Sequence, residues 1–273
     1  MIALKKLSSG FASVVLLVFL LPAAIALGSH FASGQNEVDW RSARRDSSGL
    51  APDAATTPEA VIQVYAARAV RWRGALGVHT WIATKPAGAM QYTRMEVMGF
   101  GVAGGGEAVR VRSGVADGYW FGSPPELLRE LRGGAEVDAL IERLHEAAQA
   151  YPYRHEYRIW PGPNSNTFIA WLARAVPELG VDLPPTAIGK DYLPGGGLLA
   201  DAPSGSGKQL SLGGLFGVMV AREEGLEVNL LGLTAGIDFQ PLALKLPGLG
   251  RIDLAGRGSA AADAGEAGKG ASD

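Results

Sequence analysis

The stretch Trp160-Pro161-Gly162-Pro163-Asn164-Ser165-Asn166-Thr167-Phe168 admits few backbone solutions. Two prolines fix φ and remove two backbone donors around a permissive glycine, so this segment is neither a helix interior nor a central strand. Asn164, Ser165 and Asn166 come next, side chains suited to capping a helix. Phe168, Leu172, Val176 and Leu179 then follow at helical spacing, and Pro177 marks the end of the run. A rigid turn therefore feeds an amphipathic helix, and a small hydroxyl, Ser165, sits at its start. First-turn amides lack intrahelical partners and the macrodipole is positive there, so an anion formed at that point is stabilised.

Upstream, the chain is punctuated for an antiparallel sheet. Its 38 glycines mark many turns, and 47% hydrophobic residues suffice for a core. Residues 59–68, with Val61, Ile62, Val64 and Tyr65, read as a strand, although Thr57-Pro58 would also suit a helix start. Strands follow at 77–85, 91–99 and 107–112, separated by Pro86-Ala87-Gly88-Ala89 and by the glycines of 101–106. Ser123-Pro124-Pro125-Glu126 matches a capping box, which predicts a helix with Leu127, Leu128 and Leu131 on its apolar face, ended by Gly133-Gly134. Val137, Leu140, Ile141, Leu144 and Ala148 predict another helix, stopped by Pro152. The apolar runs 209–221 and 226–239, joined by Arg222-Glu223-Glu224-Gly225, predict a β-hairpin.

The ends are of different character. Lys5 and Lys6 precede an apolar run, Phe11–Leu27, of 17 residues. That length meets the lower limit for a bilayer span, roughly 17–25 residues. Ala24-Ile25-Ala26 also fits a signal cleavage site, so anchor and signal peptide both stay open. The resulting organisation is a leader over 1–27, a linker over 28–56, one α+β domain over 57–253 and a disordered, Ala/Gly-rich tail over 254–273. Lys5 and Lys6 at the head of the apolar run favour export of the domain, although Arg41, Arg44 and Arg45 also flank it.

Several chemistries are excluded or weak. No cysteine is present, which removes disulfides, thiolate metal sites and a cysteine nucleophile. A net charge of −2 and the lack of a basic–aromatic patch give no reason to expect nucleic acid. Gly99-Phe100-Gly101-Val102-Ala103-Gly104 spells a dinucleotide fingerprint, but a strand and not a helix is expected after it. Gly205-Ser206-Gly207-Lys208 lacks both the first glycine and the magnesium-binding hydroxyl of a phosphate loop. His30, His145 and His155 lack the spacing of a metal set, so neither metal nor cofactor is expected.

One constellation has chemical content. Serine needs a base, and His79 is the one histidine embedded in an apolar strand, Val78-His79-Thr80-Trp81-Ile82-Ala83. A third group would fix its tautomer. Folding strand 77–85 onto strand 91–99 can set Glu96 opposite His79, whereas a slip of one residue sets Val97 there. Against this stands the plainer alternative of a helix cap and a satisfied core histidine.

Two resemblances add to this reading. Over most of residues 40–253 the chain resembles an uncharacterised bacterial family, domain of unknown function 3750. The segments carrying the likeness are Gly77–Ala83, Tyr151-Pro152-Tyr153, Trp160–Phe168 and Ala187–Leu193. More distantly, Val78-His79-Thr80-Trp81 and Asn164-Ser165-Asn166-Thr167-Phe168 are similar to the histidine strand and nucleophile motif of circularly permuted papain-like hydrolases and acyltransferases. Ser165 stands where those families have cysteine.

The resemblance implies an antiparallel sheet with packed helices and an enzyme acting on amide or ester bonds of envelope peptides or lipids. Ser165 would be nucleophile, His79 base and Glu96 orienter. Asn164, Asn166, Trp81 and Tyr153 would bind or shape the site. The expected location is the bacterial inner membrane or periplasm, with the membrane reached through the N-terminal segment. A non-catalytic, membrane-tethered binding or scaffold module is the competing expectation.

Overall fold

A computed structural model of the chain describes residues 10, 12–34, 39 and 41–254. The expected tail, apart from Leu254, residues 1–9 and 11 of the leader, and residues 35–38 and 40 of the linker lie outside the described residues. The first element is helix α1, Ala12–Ala32, with a π-helical stretch at Val15–Leu20. It is long and apolar enough to cross a membrane, by length and composition. It also packs on the protein. Phe19, Ala23 and Ala26 are buried, and the His30 ring lies 2.9 Å from the Arg71 carbonyl oxygen.

The first sheet has the order β4-β3-β2-β1-β5, with every neighbour antiparallel. Its strands are β1 (Ala60–Arg68), β2 (Val78–Lys85), β3 (Thr93–Val97), β4 (Val109–Ser113) and β5 (Glu126–Gly133). β1 lies inside the sheet, between β2 and β5, and its β-branched and aromatic side chains are buried on both faces. β5 corrects a sequence expectation, for a helix was expected there. Leu, Glu and Arg are good helix formers, but β1 offers a ladder from Ala60 to Ala66, and pairing overrides propensity. The charged side chains of β5, Glu126, Arg129, Glu130 and Arg132, protect an open sheet edge.

Helices α2 (Ala135–Gln149) and α3 (Ser165–Ala175) cover one face of this sheet. The main core lies between them, built from Ile62, Val64, Ile82, Met95, Phe168 and Leu172. On the opposite face Val61, Tyr65 and Trp81 pack with Ala51 and Ala54 of the expected linker, an arm laid against the sheet. Asp117 holds that arm in place, accepting from the Ser47 hydroxyl at 2.8 Å and from the backbone N–H groups of Leu50 and Ala51.

A second sheet follows, in the order β12-β11-β10-β9-β8-β7-β6. Its strands are β6 (Leu199–Asp201), β7 (Gly207–Leu212), β8 (Phe216–Ala221), β9 (Gly225–Leu230), β10 (Leu233–Phe239), β11 (Leu242–Leu246) and β12 (Gly250–Asp253). The expected single hairpin is in fact four strands, since each apolar run folds back on itself. Turns at Gly213-Gly214 and Leu231-Gly232 divide them, and all four residues there except Leu231 are the glycines that positive φ favours. The sheet docks on segment 182–191 through a polar face. Asp191 accepts from Gln209, Asn229 and Thr234 side chains, and Lys245 reaches Asp182 and Glu227.

Candidate active site

The rigid turn places the start of α3 beside β2. Asn164 is the N-cap, and its Oδ1 accepts from the backbone N–H groups of Asn166 (3.0 Å) and Thr167 (3.1 Å). Thr167 returns the bond, its Oγ1 accepting from the Asn164 backbone N–H at 3.2 Å, so the capping box is closed. The Asn164 amide also donates to the carbonyls of Ile159 and Ile188. Gly189 makes this approach possible. It has φ of +102°, and a β-carbon there would stand 2.3 Å from Asn164 Nδ2.

Asn166 ties the helix to the sheet. Its Nδ2 donates to Val78 (3.0 Å) and Ile188 (2.8 Å) carbonyls, and its Oδ1 accepts from the Thr80 hydroxyl at 2.9 Å. Both asparagine amides are thus fully engaged. They hold Ser165 in place, and their N–H groups are not free for a developing oxyanion.

Ser165 is itself buried and differs from its neighbours. Among the described residues neither its hydroxyl nor its backbone N–H meets a hydrogen-bond partner, while the N–H groups of Asn166, Thr167 and Phe168 are all satisfied. A cavity of about 480 Å³ opens there. His79, Asn164, Ser165 and Asn166 line it, together with apolar side chains that include Trp160 and Leu231. This size and mixture are typical of a small-molecule or substrate pocket.

His79 reaches the cavity from β2 with one nitrogen engaged. Its Nε2 lies 3.0 Å from Glu96 Oε2, and Arg94 Nη2 donates to the same oxygen at 2.9 Å. Burial pushes the Glu96 carboxyl up, but the His79 bond and the Arg94 charge outweigh it and hold the carboxyl down at about 2. Glu96 is therefore an anion that accepts the Nε2 proton, and the lone pair of the neutral ring rests on Nδ1. Burial lowers the His79 pKa, and the Glu96 bond opposes this only in part. The ring is neutral near pH 7. Trp120 fixes its plane, lying parallel at 8° with centroids 3.5 Å apart. No hydrogen bond joins Ser165 to His79 among the described residues.

The other residues expected at the site stand elsewhere. Trp81 is wholly buried on the far side of His79, where its Nε1 donates to the Ala116 carbonyl at 2.7 Å. It backs the site and does not line the cavity. Tyr153 is also outside the cavity lining. Its hydroxyl accepts from the Gly195 N–H at 3.2 Å, and its ring packs edge-on to Tyr151. Sequence reasoning missed Arg94 and Trp120. Arg94 lies over the Trp81 ring at 4.0 Å, so the group that charges Glu96 is held by the tryptophan behind it. Nothing in the local sequence around Trp120 signals its role, because it comes from a loop.

A family model described as a protein of unknown function, DUF3750, matches residues 59–192. The match runs from β1 to the segment on which the second sheet docks, and so contains every cavity residue named above except Leu231. No curated protein and no solved structure matches the chain.

Proposed function

We propose that the region matched by the DUF3750 family model, residues 59–192, carries out acyl transfer from an amide or ester donor to water or another acceptor. One observation carries the reading: among the described residues the hydroxyl and N–H of Ser165 have no hydrogen-bond partner, at a cavity shared with a neutral histidine whose Nδ1 has none either. The surrounding polar groups, Asn164, Asn166, Thr167 and Thr80, are all satisfied.

In this mechanism Ser165 Oγ attacks the substrate carbonyl carbon and its proton passes to His79 Nδ1. Glu96 stabilises the resulting imidazolium and keeps the ring oriented. The Ser165 N–H, at the positive end of α3, donates to the oxyanion. The leaving amine or alcohol then takes the proton from His79. Water or an acceptor alcohol, deprotonated by the same nitrogen, then attacks the acyl carbon, and His79 returns that proton to Ser165 Oγ as the acyl–oxygen bond breaks. The apolar cavity wall suits an apolar portion of the donor. With α1 as anchor or leader, the substrate is envelope material, a peptide or a lipid, at the inner membrane or in the periplasm.

The test is covalent labelling of the full chain with a fluorophosphonate. Labelling of the wild type that vanishes in Ser165→Ala and drops in His79→Gln supports the reading. Equal labelling of wild type and Ser165→Ala removes it. A second reading, a binding module that keeps the groove without chemistry, is favoured by the lack of a direct Ser165–His79 bond. It predicts no labelling but saturable quenching of tryptophan fluorescence by an apolar envelope ligand, through Trp120 and Trp160 at the cavity.

A further inference from the structure

The seven-stranded sheet alternates with the opposite sense to a soluble sheet. Most of its buried positions are polar, among them Gln209, Ser211, Glu227, Asn229, Thr234 and Lys245, with Met219, Ala221 and Ala243 alongside. The side chains between them are apolar and outward. Leu210, Val218, Val220, Leu226, Val228 and Ile237 are 38–58% exposed. Soluble antiparallel sheets bury the apolar face and solvate the polar one. A contiguous apolar face of this breadth marks an interaction surface.

Two features of the same face identify what covers it. First, α1 lies against it, with Val14, Leu17 and Phe19 walling a groove of about 850 Å³ above Leu212, Phe216 and Val228. The one described helix of bilayer-spanning length and composition, mean hydropathy 2.4, is therefore on this face. Leu16, Leu20 and Ile25 of that helix are about half exposed, so helix and sheet together form one larger apolar surface. Second, the surface continues to the cavity rim. Leu230 lines the groove under α1, while Leu231 lines the candidate cavity beside Trp72 and Trp160. Both tryptophans and Leu231 are half exposed, and tryptophan at such a boundary suits the headgroup layer of a membrane.

We propose that the outer face of the seven-stranded sheet is seated on a phospholipid bilayer, with α1 beside it and the cavity mouth at headgroup level. β6 and β12 have open edges whose backbone groups need water or headgroups, so the seat stops at the headgroup–acyl boundary. This proposal is independent of the chemistry at Ser165, and its test does not use it.

The absence of cysteine makes the test clean. Val220→Cys and Phe239→Cys place a thiol on the outer face away from the groove under α1, and Met90→Cys places one on an exposed turn of the first sheet. Each full-length variant is labelled with an environment-sensitive nitrobenzoxadiazole dye. It is then reconstituted in phosphatidylcholine–phosphatidylglycerol vesicles carrying spin-labelled acyl chains. The expected result is blue-shifted emission quenched by the lipid spin label at 220 and 239, and aqueous, unquenched emission at 90. Aqueous emission at all three positions overturns the proposal. Blue-shifted emission at 220 and 239 that lipid does not quench, but that neighbouring copies self-quench, also overturns it and assigns the face to a second copy of the chain.

Discussion

His79 Nε2 and Glu96 Oε2 lie 3.0 Å apart although the two residues do not face each other in the ladder. The β2–β3 register pairs Ile82 with Met95 and Ala83 with Arg94, which continues to Trp81 opposite Glu96. The His79–Glu96 contact is diagonal, across two positions of the same face, a separation that long side chains span. Glu96→Gln keeps the shape but loses the anion, and the Nε2 tautomer is no longer enforced. Fluorophosphonate labelling of Ser165 should then slow by about 10²-fold or more while the fold persists. Labelling rates and circular dichroism on the same samples check this. An unchanged rate means that Glu96 only fills space.

Ser165→Cys should produce an activated thiol. The side chain sits at the start of α3 beside an unpartnered N–H and near a histidine, so the thiol pKa should fall below the usual value of about 8.5. It would be the chain's one thiol, which makes the measurement direct. The pH dependence of iodoacetamide alkylation gives the value. Adding His79→Gln should move it back upwards, and a thiol that titrates normally in both variants would show that the histidine does not act on residue 165.

Stability should fall on acidification in two stages. The folded His79 pKa lies below its ordinary 6.5, so the unfolded chain binds the proton first. That contribution is fully present above pH 6.5 and is lost as pH falls towards the folded value. Glu96 is held at about 2 against an ordinary 4.5. Its contribution, of the order of 3 kcal/mol, is present above pH 4.5 and lost between there and pH 2. Urea midpoints between pH 8 and pH 3 should therefore decline, and Glu96→Gln should flatten the lower part of the curve.

Much of this site was legible because it rests on local signals. The Pro-Gly-Pro turn, the Asn164 cap and the apolar stripe at Phe168 and Leu172 specify α3 without long-range information. The strand around His79 was equally plain. The register that joins them was not. The expected alignment put Glu96 directly opposite His79, and the true one is displaced by two residues. Two residues is a full period of the strand, so Glu96 stays on the same face and the contact survives. β5 was misread because Ser123-Pro124-Pro125-Glu126 spells a helix start and the leucines after it fit a helical face, until a partner strand is supplied.

The asparagines flanking Ser165 should prove structural. Asn166→Ala leaves the half-buried Val78 carbonyl and the buried Thr80 hydroxyl without their shared partner, and the Ile188 carbonyl with Asn164 alone. The cost should be about 2–3 kcal/mol. Gly189→Ala should act on the same staple from the other side, since its β-carbon would collide with Asn164. Chemical denaturation measures both. If Asn166→Ala retains full stability but stops labelling, the residue acts on the reaction directly and its role as a staple is wrong.

The period of the second sheet was readable in the sequence, but its sense was not. Alternation such as Leu226-Glu227-Val228-Asn229-Leu230 states that one face is polar and the other apolar, not which one is inside. Segment 182–191 decides it, because Lys190 and Asp191 are buried and need charged and polar partners. Glu227 answers both Lys190 and Lys245. Glu227→Ala should therefore cost about 3–5 kcal/mol, the usual result of leaving a buried charge unpaired. Val220→Thr, on the outer face away from α1, should change stability by less than about 0.5 kcal/mol in water. Urea unfolding in detergent-free buffer distinguishes this from an ordinary sheet, in which the valine would be the costly position and the glutamate the neutral one.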